Sequence, residues 1–476
     1  MKHFLFILSF IYCISSDAQS NNYKIEGEII GLKDTSILLG CYFRDSGQAI
    51  DTAYSKNGKF IFTGDKKLKK GMYFIMLPNY NLQLVINEKE IKFKTSLKNP
   101  VKDMIFSKSL ENQPFYNYLS FINEQQKIVA PLREKLKSSN NNQNQEIKKK
   151  LENIDKEIIK FRDDFINENK EKFFSDILKA TLEPIIPDPN FDVKKNEKKF
   201  KEYQLNYYIN HYWDNVNLLD SGIIRTSFFF NRLNTYFDKV VYQIPDSLIK
   251  YSNLLIKRSS NNKEVFRYIV GAVTDKYRVS KIMGFDAVFV EMVEKYHMTG
   301  LYAWKDSTNL LKMIERAGQI SPNLIGKVAP EFTDNNGTPF MKDLNDNIHT
   351  IQSIKANYTL LVFYGPSCGH CKKEIPKIKN TIDSLINLNY DIKTLAVATE
   401  FDVDEWKKFI KEQKIESWIN VSDIRFDNDN NPVASSDWRS KYDIYSTPVV
   451  YLLDKEKKIL AKRITHQQFA DVITRE

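Results

Sequence analysis

The feature that most constrains this chain is a pair of cysteines placed where an apolar run changes into a helical pattern. Residues 359–364 are apolar and read as a buried strand, and Cys368 and Cys371 follow with two residues between them. After the pair, apolar side chains recur at helical spacing, at Ile375, Ile378, Ile382 and Leu385. A buried strand that leads directly into a helix predicts an α/β domain in this part of the chain.

The position of each cysteine in this turn predicts a different chemistry for each. Cys368, at the start of the helix, lies beside unpaired backbone N–H groups and the positive end of the helix dipole, which favour its thiolate. Cys371 lies one turn further along, within reach of a disulfide with Cys368. His370, when protonated, would add a positive charge beside the thiolate. The pair is therefore predicted to cycle between dithiol and disulfide.

Two structural interpretations of the pair remain open beside the redox one. Cys-x-x-Cys is half of many zinc sites, but zinc takes about four ligands, and beyond the N-terminal segment the chain has only one other cysteine, Cys41. A purely structural disulfide across so short a loop would add little stability, because the entropic gain grows with loop length. Redox chemistry is favoured over both, and no metal or cofactor is predicted.

These residues resemble the thioredoxin fold and, more narrowly, the exported ResA/TlpA-like thiol-disulfide oxidoreductases. The resemblance covers about the last third of the chain. It rests on the Cys-Gly-His-Cys turn, on Glu374 and Pro376, and on Thr447-Pro448 before the apolar run Val449–Leu453. The segment 326–337 resembles the family's opening hairpin. Two residues depart from the family's pattern. Ser367 replaces a common tryptophan, and Val362 replaces the buried aspartate of thioredoxin.

The resemblance implies a role for each residue of the site. Cys368 would attack a substrate disulfide, and Cys371 would resolve the mixed disulfide. Glu374, buried near Cys371 with a raised pKa, would pass the resolving proton. The other three residues would hold the substrate beside Cys368, with a cis peptide bond before the proline: His370, Thr447 and Pro448.

The resemblance also implies partners, but it leaves the direction of electron flow open. The implied partners are proteins with disulfides or oxidised thiols and a membrane electron donor of the thiol-disulfide type. Glu374 favours a reductase, whereas the Gly-His dipeptide, found in disulfide isomerases, favours an isomerase or oxidase. A peroxiredoxin is excluded because Gly365 stands where it needs Thr or Ser. A third alternative is a ligand- or protein-binding module with a passenger thioredoxin domain.

The N-terminus predicts export. Residues 1–18 read as a signal peptide, with an apolar stretch too short to span a bilayer and small residues before a cleavage point near Gln19. Lipidation of Cys13 is an alternative that the bulky Tyr12 disfavours. The protein is therefore expected in the periplasm, either in solution or associated with the membrane. Its net charge of +10 does not predict nucleic-acid binding, since no basic run alternates with aromatic residues.

The order of patterns predicts a multidomain protein, with an all-β sandwich, a mostly helical middle region and a C-terminal α/β thioredoxin-like domain. The β domain is expected at residues 21–98, with a hairpin at Asn57-Gly58 and Cys41 as an inert core thiol. The helical region is expected at 113–318, with a helical hairpin near 113–172 that packs on itself or dimerises as a coiled coil. Its aromatic segment, Tyr203–Phe237, is interpreted as core rather than as a ligand groove. The thioredoxin-like domain is expected at 322–476, with a mostly parallel sheet.

Overall fold

The computed structural model describes residues 22–475 except 79, 139–140, 303–306, 335, 424, 427–431 and 434–437. The predicted signal peptide and Cys13 therefore lie outside the described residues. Within these ranges, no helix combines the length and the apolar character that crossing a membrane requires. Contacts divide the chain into two compact units, Met1–Val241 with Arg258–Val265 and Tyr242–Lys257 with Phe266–Glu476.

The first unit begins with β strands, which are β1 Tyr23–Ile30, β2 Thr35–Phe43, β3 Ser46–Ser55, β4 Lys59–Gly64, β5 Gly71–Leu77, β6 Tyr80–Ile86, β7 Glu90–Ser96 and β8 Ile105–Lys108. They form two four-stranded sheets, ordered β4-β1-β7-β8 and β3-β2-β5-β6. Strands β1, β4 and β7 expose and bury alternate side chains, as the pleat of a half-buried sheet requires. The predicted N-terminal β domain is confirmed, and β8 extends it beyond the predicted end at residue 98.

The turn at Asn57-Gly58 joins the two sheets. Both residues have positive φ, 50° and 76°, which suits a tight turn. Only one bridge, between Lys56 and Lys59, pairs the chain across it, because β3 pairs with β2 and β4 pairs with β1. The predicted turn is correct, but the predicted hairpin is wrong, since its two strands belong to different sheets.

The helices that follow are α1 Asn112–Ser138, α2 Asn141–Glu168, α3 Phe173–Ala180, α4 Glu197–His211 and α5 Phe229–Thr235, with a 3-10 turn at Ser221–Arg225 and a π turn at Tyr236–Val240. Helices α1 and α2 form the predicted antiparallel hairpin. Phe121 of α1 stacks on Phe161 of α2 with ring centroids 3.8 Å apart. Tyr118, one turn earlier, meets Phe165, one turn later. The helices therefore pack on each other within one chain, and dimerisation stays a prediction.

The aromatic-rich segment supplies core side chains to the first unit. Trp213, Phe229 and Tyr236 are 3% exposed or less. The guanidinium of Arg232 lies 4.1 Å from the ring centroid of Tyr212, which compensates a buried charge with an aromatic face. Cys41 is also buried, and burial raises the pKa of its thiol. These contacts favour the interpretation of both features as core.

The remaining helices of the middle region are α6 Pro245–Arg258, α7 Lys263–Arg278, α8 Asp286–Met292 and α9 Ser307–Ile320, with a π turn at Val293–His297 and a 3-10 turn at Ser321–Asn323. They lie mostly in the second unit, together with the C-terminal domain. Polar contacts join them to that domain: Asn323 donates to the Lys441 carbonyl at 2.7 Å, and Asp286 pairs with Lys462 at 2.5 Å. The helical region predicted at 113–318 is thus shared between the two units and is not a domain of its own.

The C-terminal domain has the strands β9 Tyr358–Tyr364, β10 Ile392–Ala398, β11 Ile419–Ser422, β12 Arg425–Phe426, β13 Pro432–Val433, β14 Val449–Leu453 and β15 Ile459–Lys462, and the helices α10 Gly369–Asn387, α11 Val403–Glu412, α12 Trp438–Lys441 and α13 His466–Arg475. The main sheet has the order β11-β10-β9-β14-β15. Strands β9, β10 and β11 run parallel, and β14 pairs antiparallel with both β9 and β15. Four of the five strands in this sheet therefore run in one direction, as predicted, and β14 makes the sheet mixed. The opening hairpin is reduced to isolated bridges, such as Thr333 with Pro339.

Both faces of this sheet are covered. Helices α10, α11 and α13 pack on one face, and Trp438, Tyr442 and the segment 329–354 pack on the other. Residues 359–364 of β9 are therefore all buried. This arrangement confirms the predicted α/β fold, with β9 at the centre of the sheet.

Gly58 offers a test of the turn between the two β sheets. A Cβ at Gly58 would lie 2.4 Å from the Ile29 carbonyl oxygen, whereas a Cβ at Gly31, which also has positive φ, would meet nothing closer than 3.9 Å. We expect Gly31→Ala to cost roughly 1–2 kcal/mol of unfolding free energy through backbone strain, and Gly58→Ala to cost roughly 1–3 kcal/mol more through overpacking. Urea denaturation measures both, and equal losses would contradict this account of the turn.

Candidate active site

The end of β9 places the two cysteines at the edge of the sheet. Gly365 and Pro366 are buried and turn the chain, and Cys368 then takes extended angles, φ −67° and ψ 117°, as the N-cap of α10. Its carbonyl accepts the Lys372 N–H at 3.1 Å, which closes the first helical turn. The structure therefore places Cys368 at the helix N-terminus, where the sequence predicts it.

The two thiols differ sharply in burial. Cys371 is 0% exposed, whereas Cys368 is partly exposed, and both are free thiols. The Gly365 N–H donates to Cys371 Sγ at 3.4 Å. The Cys368 thiol donates to the Thr447 carbonyl at 3.5 Å. Of the two thiols, Cys368 is thus accessible to a substrate, whereas Cys371 is shielded from solvent.

The environment of each sulfur moves its pKa in the opposite direction. Burial acts to raise the pKa of Cys368, but hydrogen bonds from the Thr447 side chain, from Cys371 and from the His370 backbone together lower it. Burial raises the pKa of Cys371 to about 12, and the neighbouring Cys368 adds to this effect. These shifts favour the predicted assignment, in which Cys368 is the nucleophile and Cys371 stays protonated until a later step.

The substrate-binding residues predicted from the resemblance lie around Cys368. Thr447 and Pro448 are joined by a cis peptide bond, as predicted. They precede β14, whose Val449 pairs with Phe363 of β9, and this register brings them to the end of the sheet where Cys368 lies. His370 is exposed and can contact a bound substrate.

Glu374 does not take the position that the sequence predicts. Its side chain is 38% exposed and pairs with Lys377 at 2.8 Å, one turn further along α10. This hydrogen bond lowers the pKa of Glu374, which is the opposite of the predicted rise. The expectation of a buried, proton-passing Glu374 is therefore wrong for this structure, because the carboxylate points along the helix surface to a lysine.

Glu400 is the carboxylate that the sequence analysis missed. The Ser367 N–H and hydroxyl donate to its two oxygens, each at 2.8 Å. A Cβ at Gly365 would lie 2.3 Å from Glu400 Oε1 and 3.4 Å from Cys368 Cβ, so glycine is needed where the carboxylate approaches the turn. The signal for Glu400 was its place directly after β10, because neighbouring parallel strands end at the same edge of a sheet.

A second contact fixes the segment that carries Glu400. The preceding residue, Thr399, donates its N–H to the Tyr364 carbonyl at 2.9 Å. Its own carbonyl accepts from Arg439 at 3.2 Å, and Arg439 pairs with the buried Asp423 at 3.0 Å. Glu400 is thus held beside the turn before Cys368 from both sides.

The pKa difference between the two thiols predicts selective alkylation. At pH 7, iodoacetamide should modify Cys368 and leave Cys371 untouched, because only the thiolate reacts. The rate at Cys368 should rise as pH increases through its lowered pKa and then level off, below the pH at which an ordinary thiol would do so. Mass spectrometry of the Cys371→Ser chain follows Cys368 alone. Equal labelling of both sulfurs in the unmodified chain would contradict the assigned roles.

Glu400 should act on the thiols through its charge. A carboxylate near Cys368 opposes the thiolate, so Glu400→Gln should speed alkylation of Cys368 at pH 7 by about twofold to threefold, as expected for the loss of a charge that water screens. The reduction potential of the pair should become less negative, because the reduced form gains stability. Glu374→Gln is the matched control, because Lys377 already compensates the charge of Glu374. An equal effect in both variants, or slower alkylation in Glu400→Gln, would contradict this role.

Both the N-terminal and the C-terminal parts of the chain match models of known protein families. Residues 23–115 match the model of a domain of unknown function, DUF4369. Residues 325–462 match the model of the AhpC/TSA family. The chain is also 26% identical over 118 residues to a thioredoxin-like protein of Haemophilus influenzae, a match that spans 25% of this chain and 61% of that protein.

Solved structures give similar results. A domain of a possible thiol-disulfide isomerase from Cytophaga hutchinsonii is 36% identical, with 33% of this chain and 94% of that chain covered and a TM-score of 0.27. A thioredoxin-like protein from Bacteroides caccae is 22% identical, with 62% and 98% covered and a TM-score of 0.44. A thiol:disulfide interchange protein from Bacteroides sp. is 26% identical, with 32% and 88% covered and a TM-score of 0.26. The C-terminal domain of this chain is thus similar to the AhpC/TSA family and to a thioredoxin-like protein, and the N-terminal domain that precedes it is similar to DUF4369.

Proposed function

We propose that this protein reduces disulfides of other proteins through the Cys368–Cys371 couple. The observation that carries the proposal is the asymmetry of the pair. Cys368 is partly exposed with a lowered pKa beside Thr447 and Pro448, whereas Cys371 is buried with its pKa raised to about 12. A reductase needs one thiol that attacks and a second that stays protonated until the mixed disulfide has formed.

The reaction proceeds in two exchanges. The Cys368 thiolate attacks one sulfur of the substrate disulfide, forms a mixed disulfide and releases the other substrate sulfur as a thiolate, which takes up a proton. Cys371 then loses its proton and attacks Cys368 Sγ. The second substrate thiol leaves, and the protein is left with the Cys368–Cys371 disulfide. The substrate gains two electrons and two protons, and the protein loses the same.

The cycle requires a dithiol donor that reduces the Cys368–Cys371 disulfide again. We propose that the protein works after export, in the periplasm or at the membrane, and receives electrons from a membrane partner of the thiol-disulfide type. The apolar segment at the N-terminus supports export. The low cysteine content supports the redox role of the pair, since an exported chain that lacks a disulfide framework has its one close pair free for chemistry.

Cysteine variants test the proposal directly. Cys368→Ser should lose disulfide reductase activity entirely, because the nucleophile is gone. Cys371→Ser should accumulate a mixed disulfide with a substrate protein, because the resolving thiol is absent. Non-reducing electrophoresis detects this adduct, and Cys41→Ser, which changes a buried thiol remote in sequence, is the control. Full activity in Cys368→Ser would overturn the proposal.

Oxidation or isomerisation is a second candidate, favoured by the lowered pKa of Cys368 and by the Gly-His dipeptide. Stabilising the thiolate stabilises the reduced protein, which makes the disulfide form a stronger oxidant. Equilibration with glutathione decides between the two. A potential near thioredoxin's, roughly −270 mV, supports the reductase, whereas a value of about −180 to −120 mV supports an isomerase or oxidant.

A further inference from the structure

A cleft of about 600 Å³ lies between the middle helices and the loop that leads to Pro448. One side is formed by the end of α7, by the segment that follows it and by α9. The other side is formed by Asp443, Tyr445 and the residues that follow β15. All of these belong to the second unit. The cleft therefore combines the thioredoxin-like domain with helices that are not part of that fold.

The sheet register places this cleft at the same end as the cysteines. Val449, at the start of β14, pairs with Phe363 near the end of β9. On the other side of β14, Tyr451 pairs with Lys462, and the Arg463 N–H donates to the Val450 carbonyl at 2.8 Å. Pro448 thus lies between the end of β9, which leads to Cys368, and the end of β15, which lines the cleft. A chain that bound along Thr447 and Pro448 and continued across the sheet towards β15 would reach the cleft.

Helix α9 holds the loop that forms one wall. Arg316 makes a bidentate ion pair with Asp443, with Nη2 to Oδ2 at 3.0 Å, and its guanidinium lies 5.8 Å from the Tyr445 ring. The Tyr445 hydroxyl donates to Gln319 Oε1 at 2.7 Å. Asp443 is also paired with Arg463 at 2.6 Å. The wall is therefore a fixed surface, although the Tyr445 side chain is 69% exposed.

The charges in the cleft are unbalanced. Its lining has more basic than acidic side chains, the basic ones being Arg278, Lys281, Arg316, Lys462 and Arg463, and the acidic ones Asp286 and Asp443. Asp286 compensates Lys462, and Arg278 lies 3.7 Å from Asp275 outside the lining. The single carboxylate of Asp443 pairs with the guanidiniums of both Arg316 and Arg463. The positive excess therefore comes from this shared pair and from the exposed Lys281.

Apolar side chains border the same cleft. Ile282 and Met283 follow Lys281 and are 59% and 45% exposed. Met283 is held over the end of the sheet, where its sulfur accepts the Lys462 N–H at 3.5 Å. Together with Tyr445 they form an apolar border to the positively charged cleft.

We propose that this cleft binds the polypeptide that flanks the reactive cysteine of a substrate, and that it selects acidic sequences. This inference rests on the proposed reductase function and adds a substrate class to it. It also gives the middle helices a role, since α9 and the segment after α7 complete a binding surface that the thioredoxin-like domain alone lacks. Complementary charge should act mainly on the rate at which substrate and protein associate.

The test uses two short peptides, each closed by one disulfide and differing only in aspartates or asparagines beside the cysteines. The reduced full-length chain should reduce the aspartate peptide about fivefold faster, which corresponds to roughly 1 kcal/mol. Lys281→Glu should bring the ratio of the two rates close to one. Lys408→Glu, the same charge reversal on α11, is the matched control and should keep the ratio.

The outcomes separate this inference from the function on which it rests. Failure to reduce 2-hydroxyethyl disulfide, a small substrate that does not need the cleft, would overturn the reductase proposal. Reduction of this compound with equal rates for both peptides would overturn the cleft alone. Equal loss of preference in Lys281→Glu and Lys408→Glu would also overturn it, because the preference would then come from the overall charge of the protein.

Discussion

The site depends on the burial of strand β9 on both faces of the sheet. Because its residues 359–364 are all buried, the chain reaches solvent only where the strand ends, and Cys368 comes there. The register of β9 with its two neighbours then brings the end of β10 and the start of β14 to the same edge of the sheet. Glu400 follows β10, and Pro448 precedes β14. Cys368, Glu400 and Pro448 thus meet because the three strands that carry them share one core.

The same burial gives the two sulfurs different exposure and opposite pKa shifts. One helical turn carries the chain from the exposed edge to the apolar side of α10, so Cys371 packs with Ile375 and Ile378 while Cys368 stays at the surface. The free energy that burial costs a charged sulfur appears as the raised pKa of Cys371. The helix N-terminus and the Thr447 side chain act in the other direction at Cys368. No additional acid or base is needed to make the pair asymmetric.

Sequence patterns predicted those parts of the structure that depend on neighbours along the chain. The apolar run of β9, the helical spacing after Cys371, the α1–α2 hairpin and the Asn57-Gly58 turn all follow from local rules. Two errors, the pairing of the strands at Asn57-Gly58 and the missed Glu400, concern contacts between distant segments, and the error at Glu374 concerns a local ion pair. Asn57-Gly58 specifies a turn but not which strands pair, and Glu374 has the family's spacing but meets Lys377. Glu400 could be placed near Cys368 only once β10 was known to lie beside β9.

The attachment of the middle helices to the C-terminal domain shows why their boundary could not be found from the sequence. That attachment uses ion pairs with one buried member each, Asp443 with Arg316 and Lys462 with Asp286. Such pairs add little net stability, because desolvation offsets their attraction, but a misplaced helix would leave a charge buried and unpaired. We infer that they specify one position of α9 against the loop before Pro448. A basic or acidic residue in a helical pattern is interpreted as an exposed residue. The sequence alone therefore does not reveal which charged residues fix the position of α9.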